Sequence, residues 1–148
     1  MLGMRSSSLI KILGRDFATA VLPPVVIEFL HEIQRVLLPN WEVVDVPLHF
    51  LGGFTIAWMI LIVWQRWHKR KWIPKIPSWI IALTVWGVVA LFGIFWEFYE
   101  WTSDYFYHTN MQPDATDTMM DFLMDLLGGL AFIIAFQRDF FRESKKQK

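Results

Sequence analysis

The chain has 148 residues, of which 55% are hydrophobic and only 19% are charged, whereas about a quarter are charged in an average soluble domain. Its 14 basic and 14 acidic residues cancel, and no basic groove with interleaved aromatics appears, so no nucleic-acid partner is expected. The absence of cysteine excludes disulfides, thiolate metal sites and cysteine nucleophiles. The length fits one domain, residues 1–148.

The first apolar segment, 17–38, follows a few basic residues and is not followed by a small-residue cleavage site. It is therefore interpreted as a membrane anchor and not as a removed signal peptide. Pro23 and Pro24 predict a break or kink, with the second half of the helix starting near Pro24. On a helix, that second half carries one polar stripe, formed by Glu28, His31, Glu32 and Arg35. Two interpretations stay open. The segment is a span whose stripe faces a bundle, which its 22 residues favour, or an amphipathic helix lying in the interface.

Three later stretches, 46–66, 77–101 and 118–137, are each long and apolar enough to predict a membrane-spanning helix. Such a helix needs about 20 mainly apolar residues to cross a hydrocarbon core about 30 Å thick. A soluble fold would have to bury all three stretches, and the chain has too little amphipathic surface to cover them. The sequence therefore predicts a single all-α, polytopic transmembrane bundle with about four spans, embedded in a lipid bilayer.

The basic residues predict the orientation. All Lys and Arg except Arg35 fall before the first segment, in the link between the second and third, or in the C-terminal tail. With four spans, these three groups lie on one side, which the positive-inside rule makes the cytoplasmic side. We therefore expect both termini to be cytoplasmic in a multi-pass protein of the bacterial or archaeal inner membrane.

The acidic residues gather at the opposite, outer ends of the predicted helices. Three sets each face one way on a helix: Asp45 with His49, Glu97 with Glu100, and Asp117 with Asp121 and Asp125. At a rise of about 1.5 Å per residue, Asp125 lies about 12 Å deeper than Asp117. A carboxylate at that depth is costly unless it faces a partner, a cation or water. The pattern thus predicts an acidic, histidine-containing site at the outer face.

Carboxylates with one or two imidazoles suit a divalent cation such as Mg, Mn, Ca, Fe or Zn. The predicted metal ligands are His49, Glu97, Glu100, Asp121 and Asp125. Asp45 or Asp117 would orient the histidine or act as a general base, which makes them the catalytic candidates. The alternative is a protonated, hydrogen-bonded set of carboxyls without a metal. Asp117 also fits a helix N-cap or first-turn acid, and His31 could simply pair with Glu28 or Arg35.

Three ordered motifs resemble those of the VanZ-like proteins and, more closely, the YjdF-type bacterial inner-membrane proteins: Asp45-x-x-x-His49-Phe50, Trp96-Glu97-x-x-Glu100-Trp101 and Asp117-Thr118-x-x-Asp121-x-x-x-Asp125-x-x-Gly128. The resemblance covers Asp45 to about Phe136 and implies the same site residues. It implies little about chemistry, although VanZ-type proteins are linked to glycopeptide (teicoplanin) resistance. VanZ-like proteins tend to carry Asn at the position of Asp125 and Gln at that of Glu100. This chain is therefore more acidic there, which favours a cation over an anionic ligand.

Three functions follow as hypotheses. The first is a divalent-cation-dependent protein that acts at the outer face on a lipid-linked or cell-envelope substrate. The second is a proton or cation transporter subunit, for which the cytoplasmic half offers few polar residues. The third is a structural subunit that packs on other membrane proteins or on a second copy of the chain. No nucleophile, phosphate loop or nucleotide motif is present, so whether the protein is an enzyme stays open.

Overall fold

The computed structural model describes residues 6–37, 42–74 and 76–136, and this part of the chain is helical with no strand. Four helices follow one another: α1 Ser6–Leu37, α2 Glu42–Lys69, α3 Ser78–Tyr107 and α4 Ala115–Ala135. The all-α prediction is confirmed. Each helix overlaps one predicted segment, and α2 extends beyond the predicted limits at both ends. The basic C-terminal tail lies outside the described residues.

Three of the described helices are long and apolar enough to cross a membrane: Val44–Lys69, Ser78–Tyr107 and Ala115–Ala135. Large apolar side chains such as Trp79, Phe95 and Leu123 are exposed on α3 and α4, as expected of surfaces that face lipid. Helix α1 is long enough but is not among the three, because charged side chains follow its apolar half. Whether 17–38 spans the membrane or lies in the interface therefore stays a prediction.

Of the break or kink predicted at the two prolines, the break is wrong, because α1 continues through Pro23 and Pro24 without interruption. A proline in a helix removes one backbone hydrogen bond, and neighbouring helices can compensate for this loss in a membrane bundle. Helix α1 packs along α2 and contacts it on both sides of the prolines, since Thr19 is hydrogen-bonded to Arg66 and His31 to Asp45. The polar stripe therefore lies on one continuous helix, and His31 of this stripe meets Asp45 in the first turn of α2.

Helices α2 and α4 form the most extensive interface among the described helices, and glycines allow it. A Cβ atom at Gly53 would lie 2.0 Å from the carbonyl oxygen of Asp125. A Cβ atom at Gly128 would lie 2.0 Å from the carbonyl oxygen of Phe50. Small residues at such positions let membrane helices approach closely. Because the two backbones touch here, His49 and Asp125 come to lie at the same level of the bundle.

One half of the bundle, which we call the apolar half, packs a core of aliphatic and aromatic side chains from α2, α3 and α4. Its buried members are Ala57, Leu61, Ile81, Val85, Val89 and Phe132. The ring of Phe54 meets that of Phe132 edge to face, with centroids 5.2 Å apart. This core holds α3 against α2 and α4. The C-terminal end of α3 therefore lies next to the N-terminal ends of α2 and α4.

The connection from α3 to α4 is short and ordered by side-chain caps. His108 adopts the left-handed conformation, with a φ of 54°, at the end of α3. Asp114 is the N-cap of α4, and its carboxylate accepts hydrogen bonds from the backbone N–H groups of Thr116 and Asp117. Of the two capping roles that the sequence left open for Asp117, the structure gives it the first-turn position.

Candidate functional site

Polar side chains are buried where α1 and α3 end and where α2 and α4 begin, a region that we call the acidic end. Every described helix contributes to it. The buried polar residues there are His31, Gln34, His49, Glu97, Glu100, Ser103, Asp121 and Asp125. Burying ionisable groups inside a membrane bundle is costly unless they pair with one another or with a ligand. The partners of each group therefore show what the region can do.

His49 lies at the centre of the acidic end and is 4% exposed. Its Nε2 atom is 3.6 Å from Oδ1 of Asp121 and 3.8 Å from Oδ2 of Asp45. On the other side of the ring, Nδ1 is 3.6 Å from Oδ1 of Asp125. These distances are longer than ordinary hydrogen bonds, which span about 2.7–3.2 Å. Three carboxylates thus surround the imidazole without a close hydrogen bond to it.

Three of the sequence-predicted ligands come together around one small space. One donor atom from each of His49, Glu97 and Asp121 lies within 4.8 Å of the other two. Each of these residues is more than nine-tenths buried, and each has a buried atom without a hydrogen-bond partner: Nε2 of His49, Oε1 of Glu97 and Oδ2 of Asp121. Metal–ligand bonds of about 2.0–2.6 Å let one cation bridge donors that lie about 4–5 Å apart.

Two further groups of the same kind adjoin this one. Asp45, Asp117 and Asp121 bring donor atoms within 4.8 Å of one another, so Asp121 belongs to this group and to the first. The third group joins His31, Asp45 and His49, and the imidazole of His31 is hydrogen-bonded to the carboxylate of Asp45. Both predicted catalytic candidates, Asp45 and Asp117, therefore lie next to the predicted ligands.

Glu100 is placed differently from the other predicted ligands. It is 1% exposed and forms an ion pair with Arg35 of α1, and it accepts a hydrogen bond of 2.9 Å from Nε1 of Trp96. The guanidinium of Arg35 lies 5.0 Å from the centre of the Trp96 ring. Glu100 is absent from the three groups described above, and so is Asp125, which instead faces Nδ1 of His49. The negative charge of Glu100 is therefore balanced by Arg35 and not by His49.

Sequence reasoning missed the contribution of α1 to the site. It left His31 open, as a residue that could pair with Glu28 or Arg35 of its own helix, whereas the structure brings it to Asp45 and stacks it on Trp96 at 5.2 Å. It also treated Arg35 only as an exception to the charge pattern. The available signal was the polar stripe itself, because a one-sided row of polar groups on an otherwise apolar helix predicts contact with other polar groups.

The loop before α4 also reaches the site. The carboxylate of Asp104 accepts hydrogen bonds from the backbone N–H groups of Met111, at 2.8 Å, and Gln112, at 2.9 Å. This folds the loop back, so the side-chain amide of Gln112 donates to the backbone carbonyl of Glu97 and to one carboxylate oxygen of that residue. One oxygen of Glu97 is thereby fixed, and the other is the buried atom without a partner.

Comparison with known proteins gives a family. Residues 29–140 match the model of the family described as "Predicted membrane protein (DUF2238)". The chain belongs to this family. The matched range contains every residue of the site, from His31 to Asp125.

A curated protein of Thermotoga maritima, described as an uncharacterized protein, is 31% identical over 104 residues, which is 68% of this chain. The chain spans about half of that relative's length, 52%. No solved structure matches the chain significantly. The family description supports an integral membrane protein. The likeness to VanZ-like and YjdF-type proteins stays a prediction, and so does the location in the inner membrane.

Proposed function

We propose that this integral membrane protein binds a divalent cation at the acidic end through His49, Glu97 and Asp121. Two observations carry the proposal: one donor atom from each of these residues lies within 4.8 Å of the other two, and each residue has a buried polar atom without a hydrogen-bond partner. A buried polar atom without a hydrogen bond costs about 1–3 kcal/mol. Three such atoms from three helices are explained by a common ligand that accepts lone pairs from all of them.

The alternative, a set of carboxyls that share protons, is less consistent with the geometry. Carboxyls and imidazoles that share a proton lie about 2.5–3.2 Å apart. The distances from His49 to Asp121 and to Asp125 are both 3.6 Å. A cation accounts for the spacing of His49 and Asp121, since each of these two donors approaches the ion and not its neighbour.

The remaining acids have supporting roles in this proposal. Asp125 faces Nδ1 of His49, the ring nitrogen that would not bind the cation, so it can hold the ring in place, as carboxylates do for metal-bound histidines. Asp45 and Asp117 border the site through Asp121 and can accept a proton from a bound water or substrate. Glu100 stays outside the ligand set because it is paired with Arg35.

A divalent cation here would act as a Lewis acid toward an oxygen-containing substrate. The site lies at the end of helices that can cross a membrane, so a substrate would approach from the bilayer or from its surface. This setting favours a lipid-linked or cell-envelope substrate.

Metal analysis of protein purified in detergent tests the proposal. We expect about one Mg, Mn, Fe or Zn ion per chain after dialysis against each metal, and a loss of affinity of about tenfold or more in Glu97→Gln and Asp121→Asn. Asp114→Asn is the matched control, because this acid caps α4 at the same end without entering the site, and its metal content should equal that of the wild type. An absence of stoichiometric metal in the wild type, or equal affinity in all four proteins, would refute the proposal.

A stability measurement gives an independent reading of the same site. A ligand that binds only the folded state at 100 times its Kd stabilises that state by about 2.7 kcal/mol. Chelation should therefore lower the unfolding temperature of the wild type and of Asp114→Asn, and metal should restore it. Asp121→Asn should show little response to either treatment.

A further inference from the structure

An elongated apolar cavity of about 330 Å³ lies beside α1, between this helix and helices α2 and α3. The α1 residues that line it run from Phe17 to His31 on one side of the helix, which corresponds to a length of about 21 Å. The facing walls include Ile56 and Met59 of α2 and Phe92 of α3. The volume is at the lower end of the range of about 300–1,000 Å³ for small-molecule sites, so the cavity fits one hydrocarbon chain.

The cavity opens toward the bilayer. Phe17 and Val25 of α1 and Phe92 of α3 line it, and all three side chains are also exposed at the surface. Phe92 belongs to a helix that is long and apolar enough to cross a membrane, so the surface around it faces lipid. A molecule dissolved in the bilayer can therefore enter the cavity between α1 and α3.

Two acidic side chains, Glu28 and Asp125, line the polar end of this cavity. Within the part of the chain that the structure describes, Glu28 forms neither a hydrogen bond nor an ion pair. Arg35 of the same polar stripe is already paired with Glu32 and Glu100. A carboxylate beside a hydrocarbon-like space is costly unless it meets a positive partner. The lining of the cavity therefore suits a ligand that brings a positive charge.

Glycine leaves the carboxylate of Asp125 accessible from the cavity. Gly52 and Gly93 both line the cavity, and a Cβ atom at Gly93 would lie 2.7 Å from Oδ2 of Asp125. The other carboxylate oxygen, Oδ1, lies 3.6 Å from Nδ1 of His49. Because no side chain stands at Gly93, Oδ2 can accept a hydrogen bond from a ligand in the cavity while Oδ1 faces the histidine.

We propose that this cavity binds a single-chain lipophilic amine from the bilayer, with its hydrocarbon chain along α1 and its ammonium group between Glu28 and Asp125. An ammonium group carries three hydrogen-bond donors and no acceptor, so it complements two carboxylates. Hydrogen bonds between ionised partners are about twice as strong as those between neutral groups. The same two acids would repel an anionic head group. The proposal does not rest on the proposed cation, because Glu28 and Asp125 lie outside the three ligand groups.

Photolabelling of the full chain in phosphatidylcholine vesicles tests the proposal. The probe is hexadecylamine with a diazirine in its chain, and labelled peptides are identified by mass spectrometry. We expect labelling of the segments that contain Met59 and Phe92, with competition by unlabelled hexadecylamine but not by hexadecanol. Glu28→Gln, which removes the charge and keeps the shape of the side chain, should weaken the labelling about tenfold.

Glu32→Gln is the matched control for the charge. Glu32 lies one turn further along α1 and lines a separate, polar cavity, so its variant should be labelled as strongly as the wild type. Equal labelling of Glu28→Gln and Glu32→Gln would overturn the proposal. Equal competition by the alcohol and the amine would overturn it as well, because the ammonium group would then not be recognised.

A second pair of variants tests the position of the hydrocarbon chain. Val21→Trp fills the cavity from α1 without changing any charge, and it should also weaken the labelling about tenfold. Leu22→Trp is its control, because Leu22 is the next residue on α1, is 62% exposed and does not line the cavity. Labelling that is equal in the two tryptophan variants would show only lipid around the helices and would contradict the proposal.

Metal content measured on the same samples separates this proposal from the previous one. Glu28→Gln and Val21→Trp should keep their metal, because neither residue belongs to the ligand groups. Metal-loaded wild type that the amine does not label in the cavity would refute the amine proposal and leave the cation proposal intact. Cavity labelling that prefers the amine in protein without stoichiometric metal would support the amine proposal and refute the cation proposal alone.

Discussion

The acidic end and the apolar half are built from the same helices, but they bury opposite kinds of side chain. Along α4, the buried face changes from Asp121 and Asp125 through Gly128 and Gly129 to Phe132. Along α3, it changes from Val85 and Val89 to Glu97 and Glu100, in the direction that matches the antiparallel packing of the two helices. The change from polar to apolar buried side chains therefore occurs at the same height in α3 and in α4.

This difference separates the sources of stability from the sources of function. Inside a bilayer the apolar half is stabilised by close packing, since lipid chains are as apolar as the side chains that they replace. The acidic end adds buried charges that have a desolvation cost, which evolution tolerates where the groups act on something. We therefore expect substitutions at the boundary between the two regions to disrupt the whole fold. Substitutions at the acidic end should have more local effects.

The largest effect is expected at Gly128, on the boundary between the two regions. A Cβ atom there would lie 2.0 Å from a backbone oxygen and 2.9 Å from a backbone nitrogen of α2, so Gly128→Leu must push α4 away from α2. Overpacking a core costs about 1–3 kcal/mol, and contact with backbone places this site at the upper end or above it. Thermal unfolding in detergent should show a fall in the unfolding temperature or the loss of folded protein.

Gly87→Leu is the control for this prediction, because a Cβ atom at Gly87 meets nothing within 4 Å. Its unfolding temperature should equal or exceed that of the wild type. If both leucine variants unfold at the wild-type temperature, the close contact of α2 and α4 does not hold the two regions together.

A smaller effect is expected when the buried ion pair of the acidic end is broken. Arg35→Met removes the charge that balances Glu100, whose side chain is 2% exposed. Removing one partner of a buried pair destabilises a protein by about 3 kcal/mol or more, because the other charge is left without compensation. Because the side chain of Arg35 is 15% exposed, the free energy of unfolding, measured in mixed detergent micelles, should fall by less than about 3 kcal/mol.

The double variant Arg35→Met with Glu100→Gln should recover much of the loss, since no buried charge then remains unpaired. Glu100→Gln alone should keep the metal affinity of the wild type, because this acid lies outside the three ligand groups. A tenfold loss of metal affinity in Glu100→Gln would instead make Glu100 a ligand and revise the division of roles at the acidic end.

The smallest effect is expected at the rim of the acidic end. Backbone hydrogen bonds from Asp117 and Thr116 hold the pKa of Asp114 below its usual value. The carboxylate form therefore stabilises the start of α4 at pH values above about 4, and this contribution is lost as the pH falls through the lowered pKa. Asp114→Ala should increase amide hydrogen exchange in the first turn of α4 at neutral pH and remove this pH dependence.

Asp114→Asn should exchange nearly as slowly as the wild type, because Asn is about as good an N-cap as Asp. In Asp114→Asn, the protection of the first turn of α4 should not be lost as the pH falls, since the side-chain amide does not titrate. If Asp114→Ala changed metal affinity as strongly as Asp121→Asn does, the rim and the centre of the acidic end could not be treated as separate.

The sequence by itself determined the helical architecture and the end at which the acids gather. Continuous apolar stretches of the length of a span can satisfy their backbone hydrogen bonds in lipid only as helices, so composition and length were sufficient. The spacing of Asp117, Asp121 and Asp125 likewise defined one face of α4, because the helical repeat is fixed. His49, Glu97 and Asp121 lie at the acidic ends of three predicted spans, and the structure brings one donor atom from each within 4.8 Å of the other two.

Only the tertiary structure decided which partner each buried polar group meets. Glu97 and Glu100 lie on the same face of α3, yet one contacts Gln112 and the other Arg35. That choice depends on the approach of α1 and of the loop before α4, and helical periodicity contains no information about either. The close contact at Gly53 and Gly128 is decided in the same way, since a glycine in a helix predicts close approach without specifying the neighbour.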